Sequence, residues 1–463
     1  MTLDAGIVPP PSAPMTSHRP LPAQRRFTSP AIEAAIGEVG GRIADPALRT
    51  VFANCLPNTL DTTVRTGVDV ESRTDTFVIT GDIDAMWLRD STAQVWPYLP
   101  FARQDPALQR LLLGVVNRQT ACVLIDPYAN AFNDGPTGGH WQSDHTAMRP
   151  ELHERKYELD SLCAVIRLAC GYHAATGDTS PFDARWRAAM TLAVATIRAQ
   201  QAGADEEGDA PPYVFQRTTA SATDTLPLGG RGHPARRCGL SKSHFRPSDD
   251  AASLPFPIAA NAMAVVMLRA LATLCRDHLG LVVLAAEATA VASDIDTAIR
   301  SHGVVRHPVH GDIFAFEVDG FGSAYCMDDA NVPSLLSLPY LGWCGADDPL
   351  YRRTRAFILS TDNPYFAAGK AGAGVGGPHV GRGWIWPLAI TMQALTSTDE
   401  AEIRTCLRTL VASTAGTGFM HETFWKDDAA RFTRPWFAWA NTLFGELVLT
   451  LDRQRPEVLR RAL

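Results

Sequence analysis

One short stretch, Thr80-Gly-Asp-Ile-Asp-Ala-Met-Trp-Leu-Arg-Asp-Ser91, gathers Asp82, Asp84, Trp87, Arg89 and Asp90. Carboxylates and a guanidinium bridge vicinal hydroxyls, and an indole stacks on the apolar C–H face of a pyranose, so this mixture suits a carbohydrate. The same residues also read as a helix N-terminus with aspartate caps over a buried Arg–Asp pair. A second stretch, His140-Trp-Gln-Ser-Asp-His145, adds Trp141, Gln142, Asp144 and His145. Metal ligation by His140, Asp144 and His145 lacks a recognised spacing, and hydrogen bonding to sugar hydroxyls fits better. A third, Glu154-Arg-Lys-Tyr-Glu-Leu-Asp160, opens a helix. Its Glu158 and Asp160 either favour the helix dipole at the first turn or face a cavity.

Paired carboxylates follow. In Phe245-Arg-Pro-Ser-Asp-Asp-Ala251 the neighbours Asp249 and Asp250 precede an apolar helix. They read as an N-cap. Near a low-dielectric cavity, adjacent carboxylates also push one pKa upward, which a general acid needs at neutral pH. Tyr325-Cys-Met-Asp-Asp-Ala-Asn331 repeats the pattern and reads as structural. In His421-Glu-Thr-Phe-Trp-Lys-Asp-Asp428, Glu422 stands between His421 and two aromatics on a loop. That is a surface glutamate unless Phe424 and Trp425 bring it to a cavity wall. Gly376-Gly-Pro-His379 and Gly383-Trp-Ile-Trp386 form another histidine and tryptophan cluster.

Other chemistries lack their motifs. Ala368-Gly-Lys-Ala-Gly does not have the residue order of a phosphate loop. Neither Gly-x-Ser-x-Gly nor His-Glu-x-x-His occurs, and no Cys-x-x-Cys pair offers a zinc site. Carboxylates and tryptophans with no metal or nucleotide motif match glycoside hydrolysis, with no metal and no cofactor expected.

The elements that must position these residues are helices. Apolar periodicity predicts helices over 30–43, 106–124, 157–176, 182–200, 257–276, 281–300, 333–341, 349–360, 383–395, 399–413 and 435–451. Strand-like runs are few, at 76–80 and 311–317. Helices in sequential pairs with little strand predict an all-α toroid whose inner helices are buried and whose site is built from loops at one end. No fixed-period repeat of the solenoid kind occurs. Segments 126–150, 202–248 and 362–382 are long enough to be substrate loops, although 202–208 reads equally as a solvated insertion.

The chain has 463 residues, 46% hydrophobic and 20% charged, which fits a globular protein with a sizeable core. A Pro- and Ser-rich segment, 1–26, is expected to be a disordered tail ahead of a single domain over 27–463. A net charge of −7 speaks against a nucleic-acid partner. No apolar run of signal-peptide or membrane-span length is evident, so no membrane association is expected. Nine scattered cysteines, an odd number, are expected to be free thiols in a reducing compartment, the cytoplasm by default.

These motifs together resemble glycoside hydrolase family 125. The likeness rests on residues 80–91, Trp141-Gln-Ser-Asp-His-Thr146, Lys156-Tyr-Glu-Leu-Asp-Ser-Leu162 and Phe245-Arg-Pro-Ser-Asp-Asp250. Gly377-Pro-His379, Ile385-Trp-Pro387, Met420-His-Glu422 and Phe437-Ala-Trp-Ala-Asn441 extend it from about Phe27 to the C-terminus. The resemblance implies an (α/α)6 barrel and a metal-independent, inverting exo-α-mannosidase that removes terminal α-1,6-linked mannose from an oligosaccharide or N-glycan fragment. It implies a general acid at Asp249 or Asp250, with Asp249 preferred, and a general base at Glu422. The expected substrate-binding residues are Asp82, Trp87, Arg89 and Asp90; Trp141, Gln142, Asp144 and His145; Glu158 and Asp160; and Arg246, His379, Trp386 and His421. Asp84 stands where the family pattern leads one to expect Pro. The competing readings are a non-catalytic glycan-binding protein and another helical-barrel sugar enzyme, an epimerase, lyase or phosphorylase. Retention of both carboxylates favours the hydrolase.

Overall fold

The computed structural model describes residues 17–208 and 211–463. Among these, twelve helices form two concentric rings. The inner ring runs through Leu88–Val95, Leu159–Thr176, Ile258–Asp277, Leu338–Leu341, Pro387–Leu395 and Ala438–Gln454. The last of these packs against the first and closes the ring. Outside it lie Pro46–Cys55, Pro106–Ile125, Ala184–Ala199, Val282–His302, Pro349–Ile358 and Glu400–Ser413. This is an (α/α)6 barrel.

The two rings begin differently. Five outer helices are capped by Asp45, Asp105, Asp183, Asp348 and Asp399, whose side chains accept first-turn N–H groups. Three continue with Pro46, Pro106 or Pro349, whose fixed φ suits the first helical position. Among the inner helices no side-chain cap is present: Trp87, Glu158, Pro257, Ser337, Trp386 and Phe437 precede them. Their first turns, with their positive dipole ends, gather at one end of the barrel. Burial differs too. Ile258–Asp277 is apolar enough by composition to cross a membrane, yet 78% of its most apolar window is buried in the barrel. An inner helix is enclosed on all sides, which accounts for that composition.

Several elements depart from expectation. The helix expected over 333–341 shrinks to Leu338–Leu341, because Asp328 accepts the Leu335 and Leu336 N–H groups in a turn ahead of it. The helix expected from 383 starts at Pro387, because Trp384–Ile385 is drawn into a ladder with Phe424–Trp425. The expected strand at 76–80 is Thr74–Val78, paired in a hairpin with Val64–Val68. That hairpin lies on the Pro106–Ile125 helix at Gly114, where a Cβ would meet Thr76 Oγ1 at 2.3 Å. Asp84, in place of the expected Pro, points to solvent and pairs with Arg65 of the hairpin at 2.6 Å. The tail expected over 1–26 is anchored in its described part. Arg19 pairs with Glu33 at 2.7 Å and Asp61 at 2.8 Å, and Ser17 donates to Asn54. Residues 1–16 lie outside the described residues.

Candidate active site

A cavity opens at the end of the barrel where the inner helices start. Trp87, Arg89 and Asp90 line it from the first inner helix, Trp386 from the fifth, and Phe437 and Trp439 from the sixth. Loops contribute Asp249, Asn331, His379, Glu422 and Arg434, and Thr80 and Ile83 also border it. Trp87 is set by the short strand Met86–Trp87, which pairs with Ala131–Phe132.

Arg89 is the electrostatic centre. Its guanidinium touches Asp160 and Asp249 at 3.2 Å each, Asp90 at 3.5 Å, and Glu158 in a short contact. Burial and these four carboxylates compete over its charge, and the carboxylates hold it firmly protonated. Burial pushes the Asp90 carboxyl up to about 6, against the pull of Arg89. Burial likewise raises Glu158 well above its ordinary value. Asp249 goes the other way: against burial, Arg89, a hydrogen bond with Glu158, and the charges of Lys156 and His379 hold it below the usual carboxylate range.

Asp249 sits in a tight loop held by partners from distant parts of the chain. Its φ is +65°, a left-handed conformation rare for a non-glycine residue and costly unless its surroundings enforce it. Here Asp249 N donates to Arg246 O at 2.9 Å, Arg246 N donates to Asp250 O at 2.8 Å, and Lys156 Nζ donates to Asp249 O at 2.8 Å. Arg246 in turn pairs with Glu317 at 2.6 Å, whose other oxygen accepts from Ser253 N and Leu254 N. On another loop, Glu422 accepts from Thr433 Oγ1 at 2.8 Å and lies 3.5 Å from Arg434 Nε. His379 lies 3.4 Å from Asp250. Burial disfavours its charge, but the Asp250 bond and the charges of Asp250, Asp249 and Glu422 raise it to about 9. Its ring thus feels the carboxylates of both loops.

Of the expected residues, Trp87, Arg89, Asp90, Asp249, His379, Trp386 and Glu422 meet at the cavity. The others do not line it. Glu158 and Asp160 are enclosed behind Arg89, because neutralising that guanidinium takes them inward. Asp250 turns beneath the loop toward His379 and Ser248. Arg246 is spent on Glu317. Asp144 forms a two-pronged pair with Arg217 at 2.7 and 2.9 Å, and that guanidinium stacks on Trp141. Gln142 donates to Leu152 O, and His145 is exposed, its backbone bridged to Gln216. His421 is buried between Arg434 O and Thr414 O and stacks on Phe432, which fixes the Glu422 loop from behind. Asp82 lies on the rim, 3.4 Å from Arg434.

Sequence reasoning gave no role to Arg434, Phe437, Trp439, Asn331 or Ser248. Arg434 stands in none of the motifs. Phe437 and Trp439 carried a signal, as aromatics two apart at the start of the last helix. Asp328 is structural as expected, but Asp329 accepts from Ser248 Oγ at 3.1 Å and Asn331 reaches the cavity.

A helical barrel with carboxylates, an arginine and tryptophans around one cavity at its inner-helix N-termini defines a glycoside hydrolase. Comparison with known proteins places it more closely. The profile of the metal-independent alpha-mannosidases, glycoside hydrolase family 125, matches residues 45–449. The chain belongs to this family. It is 43% identical over 457 residues to the meiotically up-regulated gene 157 protein of Schizosaccharomyces pombe, covering 96% of this chain and 90% of that one. It is 40% identical, with a TM-score of 0.88, to a metal-independent alpha-mannosidase of Streptococcus pneumoniae solved as a non-productive complex with alpha-1,6-mannobiose. That match covers 93% of this chain and 100% of the other. A bacterial glucoamylase complexed with acarbose, 12% identical with a TM-score of 0.56, shares the fold; the match covers 91% of this chain and 58% of that one.

Proposed function

We propose that this protein is an exo-acting α-1,6-mannosidase that inverts the anomeric centre, with Asp249 as general acid and Glu422 as general base. The observation that carries the reading is that Asp249 and Glu422 stand on separate loops and line one cavity. An inverting hydrolase needs that arrangement, with roughly 6.5–9.5 Å between carboxyls to admit a water. Asp249 is preferred to Asp250 because Asp249 borders the cavity and Asp250 turns beneath it. The indole nitrogens of Trp87 and Trp386 and Asp90 Oδ2 are buried without hydrogen-bond partners in the protein, and all three residues line the cavity. Sugar hydroxyls would satisfy these groups, whose burial is otherwise unfavourable. The α-1,6-mannobiose complex of the Streptococcus pneumoniae relative supports the linkage. The substrate class is a mannose-terminated oligosaccharide, N-glycan fragments included.

The test is an NMR time course on α-1,6-mannobiose and its linkage isomers. β-Mannose as first product from the 1,6-isomer is expected; α-mannose first would refute inversion. Glu422→Gln should abolish turnover of mannobiose and of activated aryl mannosides alike. Asp249→Asn should abolish the former and spare part of the latter, because a good leaving group departs with little proton help. We place its action in the cytoplasm, a reading supported by nine unpaired thiols. Fractionation that recovers the native protein outside the cytoplasm would overturn that placement.

A further inference from the structure

One guanidinium faces four carboxylates here, and that imbalance has a chemical consequence. Asp90, Glu158, Asp160 and Asp249 all lie within 3.5 Å of Arg89. The next cation, Lys156, is already engaged by Glu154 at 3.4 Å and Asp224 at 2.6 Å. Like charges this close and this buried do not all ionise, so the cluster retains a proton. Geometry narrows its place. Arg89 spans Glu158 and Asp249 with its two terminal nitrogens. The Asn130 amide reaches Glu158 at 3.2 Å and Asp249 at 3.5 Å. Arg89 and Asn130 thus hold these two carboxyls side by side.

We infer that Glu158 and Asp249 share a single proton, and that Glu158, enclosed and out of reach of substrate, is the positioning residue that stores it for Asp249. This rests on the assignment of Asp249 as general acid. Before substrate enters, the proton resides on Glu158 and Asp249 is anionic beside Arg89. When a glycosidic oxygen docks, the proton passes to Asp249 and then to that oxygen as the bond from C1 to the leaving group breaks. Water forms the new bond to C1 and gives its proton to Glu422. Both members of the pair are then anionic, and the pair regains one proton from solvent while Glu422 releases one. The burial that raises Glu158 and the contacts that lower Asp249 act in the direction of this division. Tyr213 also senses Glu158, and Lys156, His153 and His379 sense Asp249.

Glu158→Gln tests it, since the amide keeps the size of the side chain but carries no transferable proton. Asp249 would then titrate alone beside Arg89. The alkaline limb of kcat/KM for α-1,6-mannobiose should move to lower pH by about one unit or more, while turnover of an activated aryl mannoside is largely kept. A difference infrared spectrum, wild type minus variant at neutral pH, should show the carbonyl stretch of one neutral carboxylic acid. An unmoved alkaline limb together with no such band would overturn the shared proton. Should Glu158→Gln fail to fold, Asp249→Asn serves instead, because Glu158 beside an amide and Arg89 then ionises and the same band is lost. If the band is lost but Asp249→Asn shows no dependence on leaving group, the shared proton stands and the assignment of Asp249 as acid falls.

Discussion

Replacing Asp90 by Asn isolates one buried charge without changing the shape of the site. The Asp90 side chain is 7% exposed, its Oδ2 lacks a hydrogen-bond partner, and its carboxyl is pushed from 3.8 to about 6, by burial first and with Arg89 opposing. The folded protein therefore holds this proton more tightly than the unfolded chain does. The sign follows: the contribution to stability is fully present below about pH 4 and is lost as pH rises through about 6. A separation of about two pH units, at about 1.4 kcal/mol each, is worth about 3 kcal/mol over the full range. Asn does not titrate and suffers no such loss. Relative to wild type, Asp90→Asn should gain about 2–3 kcal/mol between pH 4 and pH 7.5. Urea unfolding at half-unit pH steps measures this independently of turnover. A difference between the two proteins that stays flat across that window, or that falls, would show that Asp90 ionises freely in the fold and that the Arg89 cluster is not short of positive charge.

Three further outcomes are expected. Gly114→Ala should lower stability by about 1–3 kcal/mol, because its Cβ would meet Thr76 Oγ1 at 2.3 Å and the Asp75 backbone at 2.8 Å; an unchanged melting temperature would mean that the hairpin lifts off the helix at no cost. His379 is held charged up to about 9, so its stabilisation is full below about 6.5 and is lost as pH rises through 9. His379→Gln should therefore be less stable than wild type at pH 6 and closer to it at pH 10, and denaturant melts at the two pH values decide. Prolonged EDTA treatment should leave mannosidase activity intact; a loss restored by Zn²⁺ or Ca²⁺ would mean that His140, Asp144 or His145 ligates a metal after all.

The helices that declare themselves in the sequence are those with complete local signals. Asp105-Pro106 and Asp348-Pro349 mark outer helices by cap and first turn, and one apolar face follows each. Leu88–Val95 showed only a possible aspartate cap, which the structure does not use. Its cap position is Trp87, its first turn holds Arg89 and Asp90, and nearly every residue is buried, because an inner helix contacts protein on all sides and starts in the cavity wall. The two-residue strands at Met86–Trp87 and Trp384–Ile385 escaped for the same reason: their pairing partners, Ala131–Phe132 and Phe424–Trp425, lie far along the chain.

The candidate site divides in the same way. Residue types raised Arg89, Asp249 and Glu422 as candidates beside structural readings, and the family resemblance gave the two carboxylates their expected roles. Which carboxylate faces the substrate and which neutralises the arginine was decided by tertiary structure. Glu158 and Asp160 are indistinguishable from Asp90 by type and by position at a helix start, yet the barrel encloses the first two behind Arg89 and leaves Asp90 on the cavity wall. Asp249 and Asp250 are adjacent, and only the left-handed backbone at Asp249, enforced by Arg246, Glu317 and Lys156, turns one outward and the other beneath. Sequence fixes what a side chain can do. Where its charge is placed depends on partners that approach from distant parts of the chain, and no local pattern encodes them.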